Sequence, residues 1–598
     1  MICRISATLL GWGLILALGL PALAAGPEDR IPAGASLVLL LDKPSEAAEK
    51  WQKTAIGAMF AGKEFAPFYA ELEKGEIAAP LNPKPALGLD WANVAKFKAP
   101  AAFVILEGEA KSPAMVLLAG GKEDAAEVKR IMAEAEKYFA GRKAKRSVKK
   151  IAESEVVTYE IPAAAGEKGS VCVHVAHGDN FAATNSAIAV EKLLKQWEAG
   201  DKGSLAADVD FKKVDAQSRK MAGLNGADVG WFVRPMSLAE LLQKKRDPKM
   251  RGKDLVAVAR KLGLGAITGI GGICTLQPGA AHDFEVAGLV LAKRPFESGM
   301  RLLDMKPGKP IAPPAWVEAD IGSYISWNMD FPSALDGAGN WLDEKLDDRG
   351  FLNAYLADLK LTAEVDVRKD IIGRLGPGIF EVSDSHRAKD PSNPNGERRL
   401  IGIASKDQQK LAKELAKVTR GDGVAKDEKI GEIPLRFAPN GEPLFAEPDA
   451  NAPKDTKTIQ AYAITPTLSL LCTDLSWLRS KLAPKEKIKP LVDDASYKQI
   501  TTWTAKQEND KTCLRGFVRN DQSMKQDYEA VRAGGVGPKS SSRSQVLQYL
   551  LLGNSPAKGP VAALPKFDIL SPNLLPTGVS MAVSPDGFEL RAAVLRKE

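Results

Sequence analysis

The chain has little histidine, the side chain that most often acts in general acid–base catalysis. Only four of its 598 residues are histidine, which leaves few candidates for a general base. It also lacks Gly-x-Ser-x-Gly, His-Glu-x-x-His and Gly-x4-Gly-Lys-Ser/Thr, the motifs of a nucleophile elbow, a zinc protease helix and a phosphate-binding loop. The sequence therefore predicts no catalytic residue, no cofactor-binding residue and no cofactor.

Cysteine is also scarce, with five in the chain, one of which, Cys3, is near its start. The other four stand among aliphatic residues, where cysteine packs as a small hydrophobic side chain. We therefore expect buried free thiols, while an oxidising compartment leaves up to two disulfides as the alternative. These four are Cys172, Cys274, Cys472 and Cys513.

Long apolar runs are absent after residue 25, so we expect no transmembrane segment in the mature chain. Before that point, Arg4 precedes an uncharged run from Ile5 to Leu20 and then Pro-Ala-Leu-Ala-Ala. This order is typical of a secretory signal peptide, here residues 1–25, with cleavage after Ala24 or Ala25. We expect a periplasmic, cell-surface or extracellular protein, and an uncleaved membrane anchor is the alternative.

No large excess of one charge marks the chain, because a formal net charge of +7 is small for this length. This argues against a nucleic-acid partner. Two local basic clusters run from Arg142 to Lys150 and from Lys244 to Lys253, with few aromatic residues among them. They suit an anionic envelope polymer or lipid surface, although solvated helix ends or loops would have the same composition, and a protein partner also stays open.

The main organising feature is a pattern that occurs twice. Residues 35–51 combine an apolar strand-like run, Asp-x-Pro-Ser and a helical pattern with a tryptophan, and residues 322–341 repeat the combination. Further matches follow in the same order, at offsets of 284 to 289 positions up to Arg519 and of 304 to 309 beyond it. We predict an α+β fold of two similar lobes from an internal tandem duplication, each an antiparallel-rich sheet with packed helices. The predicted parts are the first repeat 26–305, a Pro-rich linker 306–315, and the second repeat 316–598 with an insertion near 534–565.

Several polar residues stand where a predicted strand ends and a helix begins. Asp and Asn accept hydrogen bonds from the free N–H groups of a first helical turn, so we expect helix caps rather than paired catalytic acids. The residues are Asp42, Asn185, Asp330 and Asp474.

The segment Cys172-Val-His174-Val-Ala-His177-Gly-Asp179 has the best spacing for a metal site. On a strand Cys172 and His174 share a face, and His177 and Asp179 would follow in a turn that brings them near. Thiolate, imidazole and carboxylate are ligands for zinc or copper, so His174, His177 and Asp179 are the candidate metal ligands. The alternative is a strand and turn with two ordinary histidines.

The run Ile31-Pro-Ala-Gly-Ala-Ser-Leu-Val38, with Thr184-Asn185 and Thr473-Asp474 before helices, resembles uncharacterised bacterial exported proteins grouped only as domains of unknown function. The resemblance implies an envelope or secreted location and supplies no catalytic residue. We expect a non-enzymatic binding or envelope-associated protein. A hydrolase whose active site is assembled from dispersed residues is the alternative.

Overall fold

The structure is a computed structural model in which twenty antiparallel strands form one sheet with helices packed on it. The predicted signal peptide, residues 245–253 of the second basic cluster and His386 lie outside the residues that it describes. Those residues are 27–74, 82–109, 112–151, 153–162, 169–223, 227–244, 254–276, 281–384, 398–419, 425–438, 444, 459–483, 488–537, 540, 542–553 and 558–596.

The strands fall on both sides of the predicted linker, ten before it and ten after it. They are β1 (Leu37–Leu41), β2 (Ala101–Glu107), β3 (Pro113–Ala119), β4 (Lys145–Ile151), β5 (Ser154–Ile161), β6 (Ser170–His177), β7 (Asn180–Thr184), β8 (Val229–Val233), β9 (Ile267–Leu276), β10 (His282–Ala292), β11 (Ser323–Asn328), β12 (Leu375–Asp384), β13 (Arg398–Ser405), β14 (Lys426–Ile430), β15 (Ile433–Phe437), β16 (Ala461–Ile464), β17 (Leu468–Cys472), β18 (Thr512–Val518), β19 (Thr577–Ser584) and β20 (Gly587–Leu595).

Helices lie between several of these strands along the chain. They are α1 (Pro44–Gln52), α2 (Ala55–Ala61), α3 (Ala66–Lys74), α4 (Lys84–Leu87), α5 (Trp91–Val94), α6 (Ala125–Gly141), α7 (Ala187–Ala199), α8 (Val209–Ala222), α9 (Pro235–Lys244), α10 (Leu255–Lys261), α11 (Phe331–Leu346), α12 (Phe351–Thr362), α13 (Gln408–Val418), α14 (Leu475–Leu482), α15 (Ala495–Gln507), α16 (Asn520–Ser523), α17 (Lys525–Arg532), α18 (Ser542–Leu552), α19 (Lys558–Ala563) and α20 (Phe567–Leu570). Short 3-10 turns occur at Pro27–Arg30, Lys122–Asp124, Leu205–Ala207, Leu264–Ala266, Ser298–Leu303, Ile372–Arg374, Leu491–Asp493 and Ser571–Asn573, and a π turn at Val367–Ile371.

The strand pairings give one continuous order across the sheet. From one edge to the other it is β4-β5-β6-β7-β3-β2-β1-β8-β9-β10-β20-β19-β18-β11-β12-β13-β17-β16-β15-β14. Among the described residues, the strands of residues 26–305 therefore join those of residues 316–598 only where β10 meets β20. This confirms the α+β class and the antiparallel-rich sheet with packed helices.

The apolar run of β1 is explained by its place inside the sheet. All five of its residues are buried, because it pairs with β2 on one side and β8 on the other and is covered on both faces. Val38 packs with Phe139 of α6 and Leu193 of α7 under the helices. Leu39 belongs to a second apolar cluster, on the opposite face of the sheet, which we call the shared core.

The shared core contains residues from both sides of the predicted linker. Leu39 and Phe103 from β1 and β2 belong to the same apolar cluster as Trp327, Ile379 and Met581 from β11, β12 and β19. A further apolar cluster joins helices from the two sides of the linker. In it Phe65 and Phe68, around α3, pack with Tyr528, Leu551 and Phe567 of α17, α18 and α20. Since burial of apolar area dominates folding, both contacts stabilise the two halves together.

Two of the four predicted helix caps are confirmed. The carboxylate of Asp330 accepts from the amide of Ser333 at 3.3 Å at the start of α11, and that of Asp474 accepts from Trp477 at 2.7 Å at the start of α14. The prediction for Asp42 is wrong, because Lys43 occupies the cap position of α1 and provides no side-chain bond.

The prediction for Asn185 is also wrong. Its side-chain oxygen accepts from the amide of Met115 at 2.8 Å, and the next residue, Ser186, caps α7 through the amide of Ala189. Thr473 accepts from the amide of Arg399 in the same way, just before the Asp474 cap. By these contacts Asn185 corresponds to Thr473 and Ser186 corresponds to Asp474. The sequence suggests instead that Thr184 corresponds to Thr473 and Asn185 to Asp474, so the correspondence shifts by one position.

Candidate functional site

The structure does not bring the predicted metal ligands together. Strand β6 continues through His177, so the odd spacing from His174 points the two imidazoles to opposite faces of the sheet. His174 lies among Phe139, Tyr159 and Phe181, whereas the ring of His177 lies 6.1 Å from that of Trp197. Asp179 is exposed in the turn after the strand. Within the described residues, no group of three or more His, Cys, Asp or Glu side chains is placed to hold a metal ion.

His174 is a buried neutral imidazole. Its Nε2 lies 2.9 Å from the carbonyl oxygen of Leu87, and since a carbonyl only accepts, Nε2 carries the proton. Its Nδ1 has no hydrogen-bond partner in the described part of the chain. Burial lowers the pKa of His174 to about 4, because the charged form would lose its hydration. The residue is therefore a packing element of the first half.

A serine–histidine pair that the sequence did not suggest lies nearby. The Oγ of Ser154 is 2.8 Å from Nδ1 of His177, joining β5 to β6. Ser154 is only 1% exposed, so a substrate cannot reach its hydroxyl. No carboxylate in the described residues pairs with His177, so the third member of a catalytic triad is missing. The pair fastens two strands and does not support the hydrolase alternative.

The four cysteines after residue 25 are free and buried, as predicted. Burial raises the pKa of the thiols of Cys172 and Cys274, and it raises those of Cys472 and Cys513 to about 12. A thiol that stays protonated is neither a nucleophile nor a metal ligand at neutral pH. These residues therefore act as small apolar groups in the sheet.

The first basic cluster forms an open edge of the sheet. Six basic side chains lie on β4 or in the turn before it, and we call them the basic edge: Arg142, Lys143, Lys145, Arg146, Lys149 and Lys150. Within the described part of the chain β4 pairs only with β5, so its other side has no strand partner there, and most of its side chains are exposed. The alternative of a solvated helix end or loop is wrong for residues 145–151, which are a strand.

The charges of the basic edge are only partly compensated. Arg146 lies 3.3 Å from Glu136, and Lys150 lies 3.5 Å from Glu153. Lys143, Lys145 and Lys149 have no carboxylate within 4.0 Å among the described residues. Over residues 142–161 six basic and three acidic side chains leave an excess of three positive charges.

The opposite edge of the sheet has a different charge pattern. Strand β14 is equally exposed, but it has two lysines and two acids and thus no net charge. Asp427 pairs with Arg436 at 2.7 Å, and Glu428 pairs with Arg479. Lysine on an edge strand also prevents two sheets from pairing edge to edge, but that protection needs no net charge, as β14 illustrates. The excess on β4 therefore needs a further explanation.

None of the helices in the described part of the chain combines the length and the apolar character that crossing a bilayer requires. Comparison of the chain with models of known protein families, with curated proteins and with solved structures finds no match. The function must therefore be inferred from the residues themselves.

Proposed function

We propose that the chain is an exported, non-catalytic binding protein that attaches to an anionic envelope polymer through the basic edge. The observation that carries this proposal is the excess of positive charge on β4, which lies at an open edge where a long polymer can approach. Lys143, Lys145 and Lys149 are exposed and lack carboxylate partners among the residues that the structure describes, so a polymer carboxylate or phosphate would not have to displace an ion pair seen there. Burial of all four described thiols and the inaccessible Ser154 hydroxyl support a non-catalytic role.

The expected binding is electrostatic and therefore modest. An exposed ion pair contributes about 0.5 kcal/mol, so three unpaired lysines together contribute about 1.5 kcal/mol, roughly a factor of ten in affinity. Such attraction is screened over ~8 Å at physiological ionic strength. Binding through the basic edge should therefore weaken steeply as salt is added.

We also propose that the chain arose by tandem duplication, with repeats 26–305 and 316–598. In support, β1 lies between β2 and β8 as β11 lies between β12 and β18, and the same correspondence continues to both edges. Ala287 of β10 pairs with Arg591 of β20, and Phe284 pairs with Val594 as Val290 pairs with Phe588. This is the register that a two-fold axis through Ala287 and Arg591 would give. Residues 101–231 and 378–517 are expected to superpose strand for strand in an experimental structure.

The test of the binding function uses polygalacturonate, a polysaccharide with one carboxylate per sugar. Co-sedimentation of the mature protein with this polymer is compared with that of the triple variant Lys143→Gln, Lys145→Gln and Lys149→Gln. We expect about tenfold weaker binding for the variant, and loss of wild-type binding at high salt.

A matched control removes the same charge from the other half of the chain. Lys413→Gln, Lys426→Gln and Lys429→Gln together change three exposed lysines on α13 and β14. This control should bind as the wild type does. Equal weakening of both variants would mean that only net charge matters, and undiminished binding of the first variant would refute the role of the basic edge.

Export has its own test. Sequencing of the mature N-terminus should begin at Ala25 or Gly26, because cleavage is expected after Ala24 or Ala25. If membrane-bound protein still begins at Met1, the segment is an uncleaved membrane anchor and the protein is not released.

A further inference from the structure

A recess of about 200 Å³ opens where β10 meets β20. Its floor is the sheet, and its walls are the end of α8 and the side of α15, so it lies on the junction of the two halves. The side chains that matter for its chemistry are Met221, Thr275, Glu285, Trp503, Gln507 and Arg591. The volume is below the ~300–1,000 Å³ of sites for drug-sized molecules, so a ligand here must be small.

Arg591 has an unusual environment for a partly buried arginine. One guanidinium nitrogen donates to Oε1 of Gln507 at 2.5 Å, but no carboxylate of the described residues lies within 4.0 Å of it. Arg219 and Arg515, on or beside the same two helices, both have carboxylate partners, at 2.9 Å and 2.5 Å. Burial lowers the pKa of Arg591 from its ordinary value, because its charge has lost hydration without gaining an ion pair. An anion in the recess would restore the missing partner.

The two carboxylates that act on Arg591 already have other partners. Glu285 lies 2.9 Å from Nδ1 of His282, and Glu589 accepts from Gln217 at 2.6 Å. Both remain close enough to act electrostatically on Arg591. Their negative charges oppose a dianion such as a phosphate monoester, whereas a monocarboxylate matches the planar guanidinium with two parallel hydrogen bonds.

Beside the polar Thr275, Glu285 and Gln507, the recess also has apolar lining side chains. Trp503 is 7% exposed and its ring lies 5.9 Å from that of His282, which fixes the indole at the wall. Met221 and Ile273 provide further apolar contact. Because the Arg591 guanidinium has no carboxylate within 4.0 Å among the described residues and lies beside these apolar side chains, we propose that the recess binds a small monocarboxylate with an apolar body, its carboxylate on Arg591 and its body against Trp503. This site is independent of the basic edge.

The test is a titration of the mature protein with benzoate, followed by calorimetry and by ligand-observed NMR. Charged hydrogen bonds of this kind typically change affinity tenfold or more, so Arg591→Gln should bind benzoate at least about tenfold more weakly. Arg349→Gln removes an exposed arginine far along the sequence from the recess and should bind as the wild type does. The lysine variants of the basic edge should also keep their affinity for benzoate, which separates the two proposals.

Two comparisons remain decisive even if Arg591→Gln fails to fold. In the wild type, benzamide, the neutral analogue, and phenyl phosphate, the dianionic one, should both bind more weakly than benzoate. Thr275→Trp keeps Arg591 but fills the recess, and it should abolish binding. Absence of benzoate binding to the wild type, benzamide binding as tight as benzoate, tighter binding of phenyl phosphate, or unchanged affinity in Thr275→Trp would each overturn the assignment.

Discussion

Replacing His174 with glutamine should make the protein less sensitive to mild acid. In the folded chain the pKa of His174 is lowered to about 4 from the ordinary 6.5, because the ring is buried among aromatic side chains. Between these two values the unfolded chain binds a proton that the folded chain does not bind. The folded state is therefore favoured above pH 6.5, and this stability is lost as the pH falls from about 6.5 towards about 4.

The magnitude follows from the two pKa values. Between pH 7 and pH 5 the difference amounts to about 2 kcal/mol of unfolding free energy, and below pH 4 it reaches about 3 kcal/mol. Glutamine suits the site because its side-chain amide can donate to the carbonyl of Leu87, as Nε2 of the imidazole does. It cannot titrate, so this pH dependence should disappear.

The measurement is urea unfolding of wild type and variant at pH 7 and pH 5, followed by tryptophan fluorescence. The wild type should lose about 2 kcal/mol more than His174→Gln between the two pH values. Phe181→Leu, a change in the same cluster that adds no titrating group, should lower stability equally at both pH values. Parallel losses in wild type and His174→Gln would refute the assignment of a buried neutral histidine.

Two further predictions concern caps and thiols. Asp474→Ala should destabilise α14 by about 1 kcal/mol, which would appear as roughly fivefold faster hydrogen exchange of the Trp477 amide. Asp474→Asn should leave this exchange nearly unchanged, and Asp42→Ala should not alter the start of α1. Equal effects of the alanine variants at Asp42 and Asp474 would contradict the assignment of the caps. Cys172, Cys274, Cys472 and Cys513 should resist a thiol reagent in the native protein and all react after denaturation, and rapid native labelling of any of them would contradict its burial.

Local structure was largely predictable from the sequence. Strand β1, the caps of α11 and α14 and the buried thiols all follow from short-range signals: an apolar run, a polar residue before a helix, or an aliphatic environment. The errors are also local. Asp42 fails as a cap because α1 begins one residue later than the pattern implied, and His177 faces away from His174 because β6 does not end before it.

Long-range structure was not predictable in the same way. The periodicity of β10 and β20 does not predict that they pair, and the recess depends on that pairing together with two helices, α8 and α15, that are distant in sequence. Arg591 looks in sequence like any charged residue on an amphipathic strand, and only the structure shows that no carboxylate of the described residues lies within 4.0 Å of it. The basic cluster was visible as composition, but its position on a sheet edge required the strand order.

The pairing of β10 with β20 affects how the protein can be made. Gly587, the first residue of β20, comes 295 positions after Ala292, the last residue of β10. A chain that is synthesised or secreted from its N-terminus thus exposes one side of β10 until β20 follows, and a bare strand is a template for pairing with another chain. Fragments that stop before residue 587 should therefore associate with one another, and the nascent protein needs a chaperone or rapid completion to avoid the same fate.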